Sequence, residues 1–198
     1  MVDLWREPIT LQGRIVRLEP MAVEQIPALC AAGKDKTIWQ YMIYGDLSID
    51  QNMDAWVREI LRRQADGTDL PFTVFQQATG QVAGATRFME IRPAQRGLEI
   101  GGTWYSPEFQ RTGVNTECKY LMLKYAFETL GCIRVQFKAD ERNSRSVAAI
   151  ERIGAVREGV FRNHYILPNG AFRDSLYFSI LDQEWPGVKS RLEEKLKG

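Results

Sequence analysis

Gln110, Arg111, Thr112, Gly113, Val114 and Asn115 stand between a strand-like run ending near Tyr105 and a helix-like run that starts near Val114. The start of a helix presents backbone N–H groups with no internal partner and a partial positive charge. A polar turn feeding into one can therefore receive an anion, typically a phosphate. The turn is not a triphosphate loop, because no Gly-Lys-Ser or Gly-Lys-Thr occurs anywhere in the chain, and that chemistry needs the lysine and the hydroxyl. It is not a dinucleotide fingerprint either. That motif places three glycines in a βαβ unit, whereas here a lone Gly113 follows an antiparallel meander. His164, the only histidine, titrates in a useful range, but its place beside an Asn-Gly hairpin reads as a loop edge without a catalytic role. Cys30, Cys118 and Cys132 have neither metal-ligand spacing nor a disulfide framework and read as reduced, buried thiols. Cys118 falls on an apolar helix face with no histidine at a suggestive spacing, so it is rejected as a nucleophile.

The elements that must position the turn are legible from periodicity. "RIVRLEP" (14–20) reads as a strand, and helices are expected over about 23–32 and over 50–64, the second with Met53, Trp56, Val57, Ile60 and Leu61 on one face. Two alternating runs joined at Thr79-Gly80 predict a hairpin, and "GLEIGGTWYS" a third strand, in which Gly101 and Gly102 suggest a bulge or a close approach to the backbone. Beyond the turn, Val114, Cys118, Leu121, Met122, Tyr125 and Ala126 predict a largely buried helix that stops at Gly131. "IRVQFK" (133–138) alternates as a strand, "NSRSVAAIERIG" (143–154) reads as a short helix, and two strands flank the hairpin turn Pro168-Asn169-Gly170-Ala171. A last helix is expected over 188–196.

That order predicts an α/β chain: a mixed, mostly antiparallel sheet of about seven strands flanked by helices, in a single domain over 1–198. With 26 basic against 25 acidic side chains and a net charge of +1, nothing global points to nucleic acid or to a membrane surface, so an anion site must be local. The amino-terminal "MVDLWREPITLQG" lacks a leader pattern, and no stretch approaches the roughly 20 apolar residues of a membrane span. The expected location is cytoplasmic, and exposed strand edges make a homodimer the expected assembly.

The turn resembles the acetyl-CoA pyrophosphate turn Gln/Arg-x-x-Gly-x-Gly/Ala of the GCN5-related N-acetyltransferases. "NxxSxxAIERIGA" (143–155) looks like that family's second signature, and "EIGGTWYSPEFQ", "REGVFR" and "LPNG" resemble its RimJ/RimL-like branch, whose named members acetylate the amino termini of ribosomal proteins. The resemblance runs from "RIVRLEP" to "DQEWPGVK". It implies the family's acyl-CoA N-acyltransferase fold, acetyl-CoA as co-substrate with no metal, and direct transfer to a primary amine: a protein amino terminus, an amino acid or peptide, or a small amine. A non-catalytic acyl-CoA sensor module is the alternative.

By the same resemblance the N–H groups from Arg111 through Thr112, Gly113 and Val114 to Asn115, with Gln110, would hold the pyrophosphate. The edge Thr103, Trp104 and Tyr105 would pair with the pantetheine arm, and Asn143 would hydrogen-bond it. Asn115 departs from the usual Gly or Ala; it tolerates left-handed backbone and can cap a helix. Ile150 stands where many members carry a tyrosine that protonates the leaving thiolate, which makes Ser146 the candidate on the thiol side. Glu99, on the strand expected to line the cleft, is the candidate base for an amine whose ordinary pKa is about 7.7–8.0. Trp39 and Tyr41, in a cluster with Met42 and Tyr44, are candidate acceptor contacts, with core packing the alternative reading. The basic turn "RPAQRG" (92–97) reads as an exposed, solvated turn, with an acidic substrate or the adenosine 3′-phosphate as the functional alternative.

Overall fold

The structure is a computed structural model that describes residues 4–197; residues 1–3 and 198 of the expected domain lie outside the described residues. The chain opens with β1 (Leu11–Gln12) and β2 (Val16–Pro20), then α1 (Ile26–Ala32) and α2 (Asp50–Ala65). A meander of β3 (Leu70–Gln76), β4 (Val82–Arg92) and β5 (Gly97–Tyr105) leads into α3 (Gly113–Lys124). The remainder is β6 (Arg134–Asp140), α4 (Ser144–Arg152), β7 (Val156–Ile166), β8 (Phe172–Leu181) and α5 (Trp185–Lys197). The strands form one sheet in the order β1-β2-β3-β4-β5-β6-β8-β7, and every neighbouring pair is antiparallel except β5 with β6. The sheet has eight strands rather than about seven, because the two-residue β1 is too short to show alternation.

Strand alternation assigns the two faces. Val16, Leu18, Phe72, Val74, Val135, Phe137, Phe178 and Ile180 pack beneath α3, α4 and α5. On the other face α1 and α2 cover Ala85 and Trp104 with Leu29, Trp39, Met53, Trp56 and Val57. Over β6, β8 and β7 that second face carries no helix, and its polar residues line an open groove described below.

Two irregularities in β5 make the site. Leu98, Ile100 and Tyr105 all join the α3 face while Trp104 joins the other. With a side-chain period of two, that assignment requires one extra residue between Ile100 and Trp104. The register supplies it: Ala85 faces Trp104 but Arg87 faces Gly101, and Gly102 takes the left-handed φ of 58° that lets the bulge form. The second irregularity is a split. β5 and β6 pair only at Gly97, Leu98 and Glu99, after which they diverge, leaving the backbone edge from Ile100 to Tyr105 unpaired on that side.

Three sequence expectations are corrected. The helix after the turn does not run unbroken to its stop: α3 passes into a π-helical turn over Tyr125–Thr129 before Gly131, at a φ of 65°, ends it. Helix α5 starts at Trp185 and β7 at Val156, both earlier than expected. The basic turn 92–97 lies where β5 begins and is still paired to β6, at the other end of the strand from Gly113. Its Arg96 Nε donates to the Gly131 carbonyl at 2.7 Å, and its Arg92 Nη2 donates to Gln136 Oε1 at 3.0 Å.

Candidate active site

The V between β5 and β6 opens into a cleft of about 400 Å³ that runs from the turn before α3 to the loop between α1 and α2. At the turn end, the strained residue is Arg111, with a φ of 61°, and not Asn115, which lies inside the first turn of α3. Asn115 therefore has helical backbone, and left-handed tolerance is not what places it there. Thr112 is the N-cap: its Oγ1 accepts from the Val114 N–H at 3.2 Å and its hydroxyl donates to the Phe109 carbonyl at 2.7 Å. The N–H groups of Gly113 and Asn115 have no partner among the described residues and sit at the positive end of the helix. Arg111 and Arg145 stand at this end, where Arg145 Nη1 donates to Gln110 Oε1 at 2.8 Å, and Arg152 lines the cleft from the last residue of α4. Free N–H groups with two guanidinium groups at one end, beside an unpaired strand edge, fit a diphosphate followed by an amide-bearing arm.

Asn143 does two things at once. Its Oδ1 accepts from the Ser146 N–H at 3.0 Å, capping α4, while the residue also lines the cleft, with the amide nitrogen free of partners among the described residues. Ser146 lines the cleft one turn on, and so does Ile150, which has no proton to donate.

At the far end stands Glu99, 1% exposed. Its Oε2 accepts from Gln136 Nε2 at 3.1 Å and pairs with Lys138 Nζ at 3.3 Å. Gln136 is itself oriented by Arg92, whose Nη2 donates to Gln136 Oε1 at 3.0 Å, so the amide must turn its N–H toward Glu99. Glu99 Oε1 is left buried with no hydrogen-bond partner. It lies against Gly101, where a Cβ would come to 2.9 Å from Oε1 and 2.7 Å from Met89 Sδ. Burial pulls the pKa of Lys138 down, but the Glu99 carboxylate, aided by Tyr165 and Tyr177, outweighs it and leaves the lysine above its usual value.

The second groove, about 560 Å³ on the helix-free face, shares Glu99, Lys138 and Tyr165 with the cleft. His164 lines this groove and not the cleft; burial first, then Lys138 and Arg173, hold its pKa below the usual histidine value. All three cysteines are buried. Burial pushes the Cys118 thiol up and the Cys132 thiol to about 12, so neither is a ready thiolate.

Residues 16–156 match the model of the acetyltransferase (GNAT) domain, which is well over half of the chain. The chain belongs to the GCN5-related N-acetyltransferase superfamily. A Bacillus subtilis protein named as a candidate ribosomal N-acetyltransferase, YdaF, is 29% identical over 87% of this chain and 92% of its own. The crystal structure of a candidate acetyltransferase from T. thermophilus is 38% identical, with a TM-score of 0.87 over 97% of this chain and 99% of that one. Mycobacterium smegmatis RimJ, solved with CoA-disulfide, shares the fold at a TM-score of 0.80 and 20% identity, over 98% of this chain and 97% of that one. The chain is an acetyl-CoA-dependent acyltransferase.

Within this GNAT domain the structure brings together Glu99, Thr103, Trp104, Tyr105, Gln110, Arg111, Asn115, Asn143, Ser146 and Tyr41 as cleft lining. Of the other turn residues, Gly113 offers its free backbone N–H, while the Val114 N–H is taken by the Thr112 cap. Trp39 is a correction: at 4% exposure it packs edge-on against Trp104 at 5.0 Å and donates from Nε1 to the Gly33 carbonyl at 2.9 Å, so it is core and not an acceptor contact. Among the described residues no group of three metal-ligating side chains occurs, and no helix is long and apolar enough to cross a membrane.

Sequence reasoning missed Lys119, Lys138, Arg145, Arg152, Tyr165 and Arg173, all cleft residues. A partial signal was present: Gln136, Lys138 and Asp140 occupy the face of β6 opposite Val135 and Phe137, an unusual polar row for a strand central in its sheet.

Proposed function

We propose that this GNAT domain acetylates a primary amine by direct attack of the amine on the bound acetyl thioester, with Glu99 taking the proton that the acceptor ammonium must lose. Acetyl-CoA supplies an activated acyl carbon and a thiolate leaving group. The observation that carries the reading is one continuous cleft with free helix N–H groups at one end and a buried, half-satisfied carboxylate at the other. A carboxylate oxygen buried without a donor is destabilising by about 1–3 kcal/mol or more, and an ammonium would relieve it. The unpaired edge of β5 supplies backbone N–H groups for the thioester carbonyl. Ser146, its hydroxyl free of partners among the described residues, is the proposed hydrogen-bond donor to sulfur, since Ile150 cannot serve. The proposal retains a cytoplasmic homodimer, supported on the second point by the exposed apolar residues Val156, Phe161 and Ile166 along the edge strand β7 and measurable by sedimentation.

Calorimetric titration of acetyl-CoA, followed by thiol release with a panel of amines and amino-terminal peptides, tests the reading. Amine-dependent release is expected. In Glu99→Gln, turnover should fall about 100-fold or more, as removal of a general base does, with CoA affinity retained. Binding without turnover for every amine would favour the sensor module, and an unchanged rate in Glu99→Gln would remove that residue from its role.

A further inference from the structure

The acceptor end of the cleft holds a buried arginine whose guanidinium hydrogen-bonds no carboxylate. Arg173, on β8, is 7% exposed and lines the cleft. Its Nη1 donates to the Tyr41 carbonyl at 3.2 Å, which ties β8 to the loop between α1 and α2. Its nearest acid is Asp140, with Oδ2 at 3.9 Å from Nε, beyond hydrogen-bond reach. Asp140 is already engaged: Oδ1 accepts from the Arg142 N–H and Nε, both at 2.9 Å, and Oδ2 from Arg142 Nη2 at 2.7 Å. Arg173 Nε is buried with no hydrogen-bond partner, and Nη2 makes no hydrogen bond among the described residues. A guanidinium has five donors in a fixed fork, and this one spends a single N–H.

The charges at this end can be counted by contact. Glu99 pairs with Lys138, and Asp140 with both Arg142 and, at 3.9 Å, Arg173, so two carboxylates face three cations. A simple cationic amine entering here would meet a net positive wall, whereas an amine that also carries a carboxylate would not. Resting on the amine-acetylation reading above, we infer that the acceptor is an amino-carboxylate, held with its amine at Glu99 and its carboxylate on the unused fork of Arg173. The carboxylate has two chemical sources: the α-carboxylate of a free amino acid, or the side chain of an amino-terminal Asp or Glu in a peptide. Tyr41, Met42 and Tyr44 supply an apolar wall for the rest of either molecule.

Wild-type enzyme tests this without any variant. Thiol release is measured for free α-amino acids against their α-amides, and for tetrapeptides beginning with Asp or Glu against those beginning with Asn or Gln. Losing a hydrogen-bonded charge pair predicts kcat/KM roughly 10- to 100-fold higher for the acid member of a pair. The set in which the ratio appears names the source of the carboxylate. Arg173→Gln should bring that ratio toward one, chiefly by raising KM for the acid, with the amide little affected, and Arg173→Lys should restore part of it. A purely structural Arg173 would lower both members alike. Equal rates for acid and amide in both sets would overturn the inference while amine acetylation stood; no thiol release with any amine would overturn the underlying reading and this inference with it.

Discussion

Lys119 and Gly101 show how single residues are constrained by the cleft. Lys119 reaches from α3 to the sheet, 6% exposed, and donates to Thr103 Oγ1 at 2.6 Å and Thr86 Oγ1 at 3.2 Å. No carboxylate pairs with it among the described residues, and burial pulls its pKa from 10.5 to about 8. The unfolded chain then holds its proton more tightly than the folded one. Stability associated with this lysine is full above pH 10.5, declines as pH falls, and is lost below about 8. At 1.36 kcal/mol per pH unit the gap is worth at most ~3 kcal/mol. Lys119→Met should accordingly be more stable than wild type at pH 7, by up to that amount less the lost hydroxyl contacts. Urea midpoints taken from pH 7 to 10.5 should show the advantage shrinking as pH rises; a constant difference would mean that the ammonium is not penalised. Gly101 is constrained by space. A methyl group there would press on Glu99 Oε1 and Met89, so Gly101→Ala should lower turnover about 10- to 100-fold through displacement of the carboxylate. Its acetyl-CoA affinity, read by calorimetry, should change far less.

At the scale of elements, α3 does more than present its amino terminus. Glu117, 5% exposed, accepts from the N–H groups of Arg14, Ile15 and Val16 at 3.0, 2.6 and 2.7 Å, pinning the β1–β2 turn to the helix. Gly13 is required by that contact, since a Cβ there would fall 2.4 Å from the carboxylate. A glutamine would turn an N–H group toward those donors, so Glu117→Gln should cost about 1.5–3 kcal/mol in urea unfolding, with kcat changed little. The bulge in β5 was visible in advance as Gly101-Gly102, because two residues without side chains are poor strand formers wherever they occur. Its consequence was not visible. That Trp104 would turn to α1 and α2 while Tyr105 turned to α3 depends on where β4 shifts register, which neighbouring residues in the sequence do not encode.

For the whole molecule, the open V should respond to its ligand as one unit, because both arms and the mouth belong to one sheet and its flanking helices. A ligand that binds only the folded chain, present at 100 times its Kd, adds ~2.7 kcal/mol of stability. CoA should therefore raise the melting temperature in proportion to the logarithm of its concentration, and amide exchange should slow along 100–105. Gly113→Asp should abolish both effects by placing a carboxylate at the phosphate end; a retained thermal shift would mean that the pyrophosphate lies elsewhere. The order of elements, the hairpins and the turn before α3 could all be read along the chain, from periods of two and 3.6 and from turn chemistry set by residues a few positions apart. The superfamily was legible as a resemblance of motifs. Folding in three dimensions was needed to show that Trp39 is core, that Arg111 rather than Asn115 carries the left-handed turn, and that Glu99, Lys138 and Arg173 face one cleft. Those three side chains come from three strands far apart along the chain. Each reads locally as an ordinary charged strand position, and its meaning follows from which charges the sheet brings beside it and which it leaves unpaired.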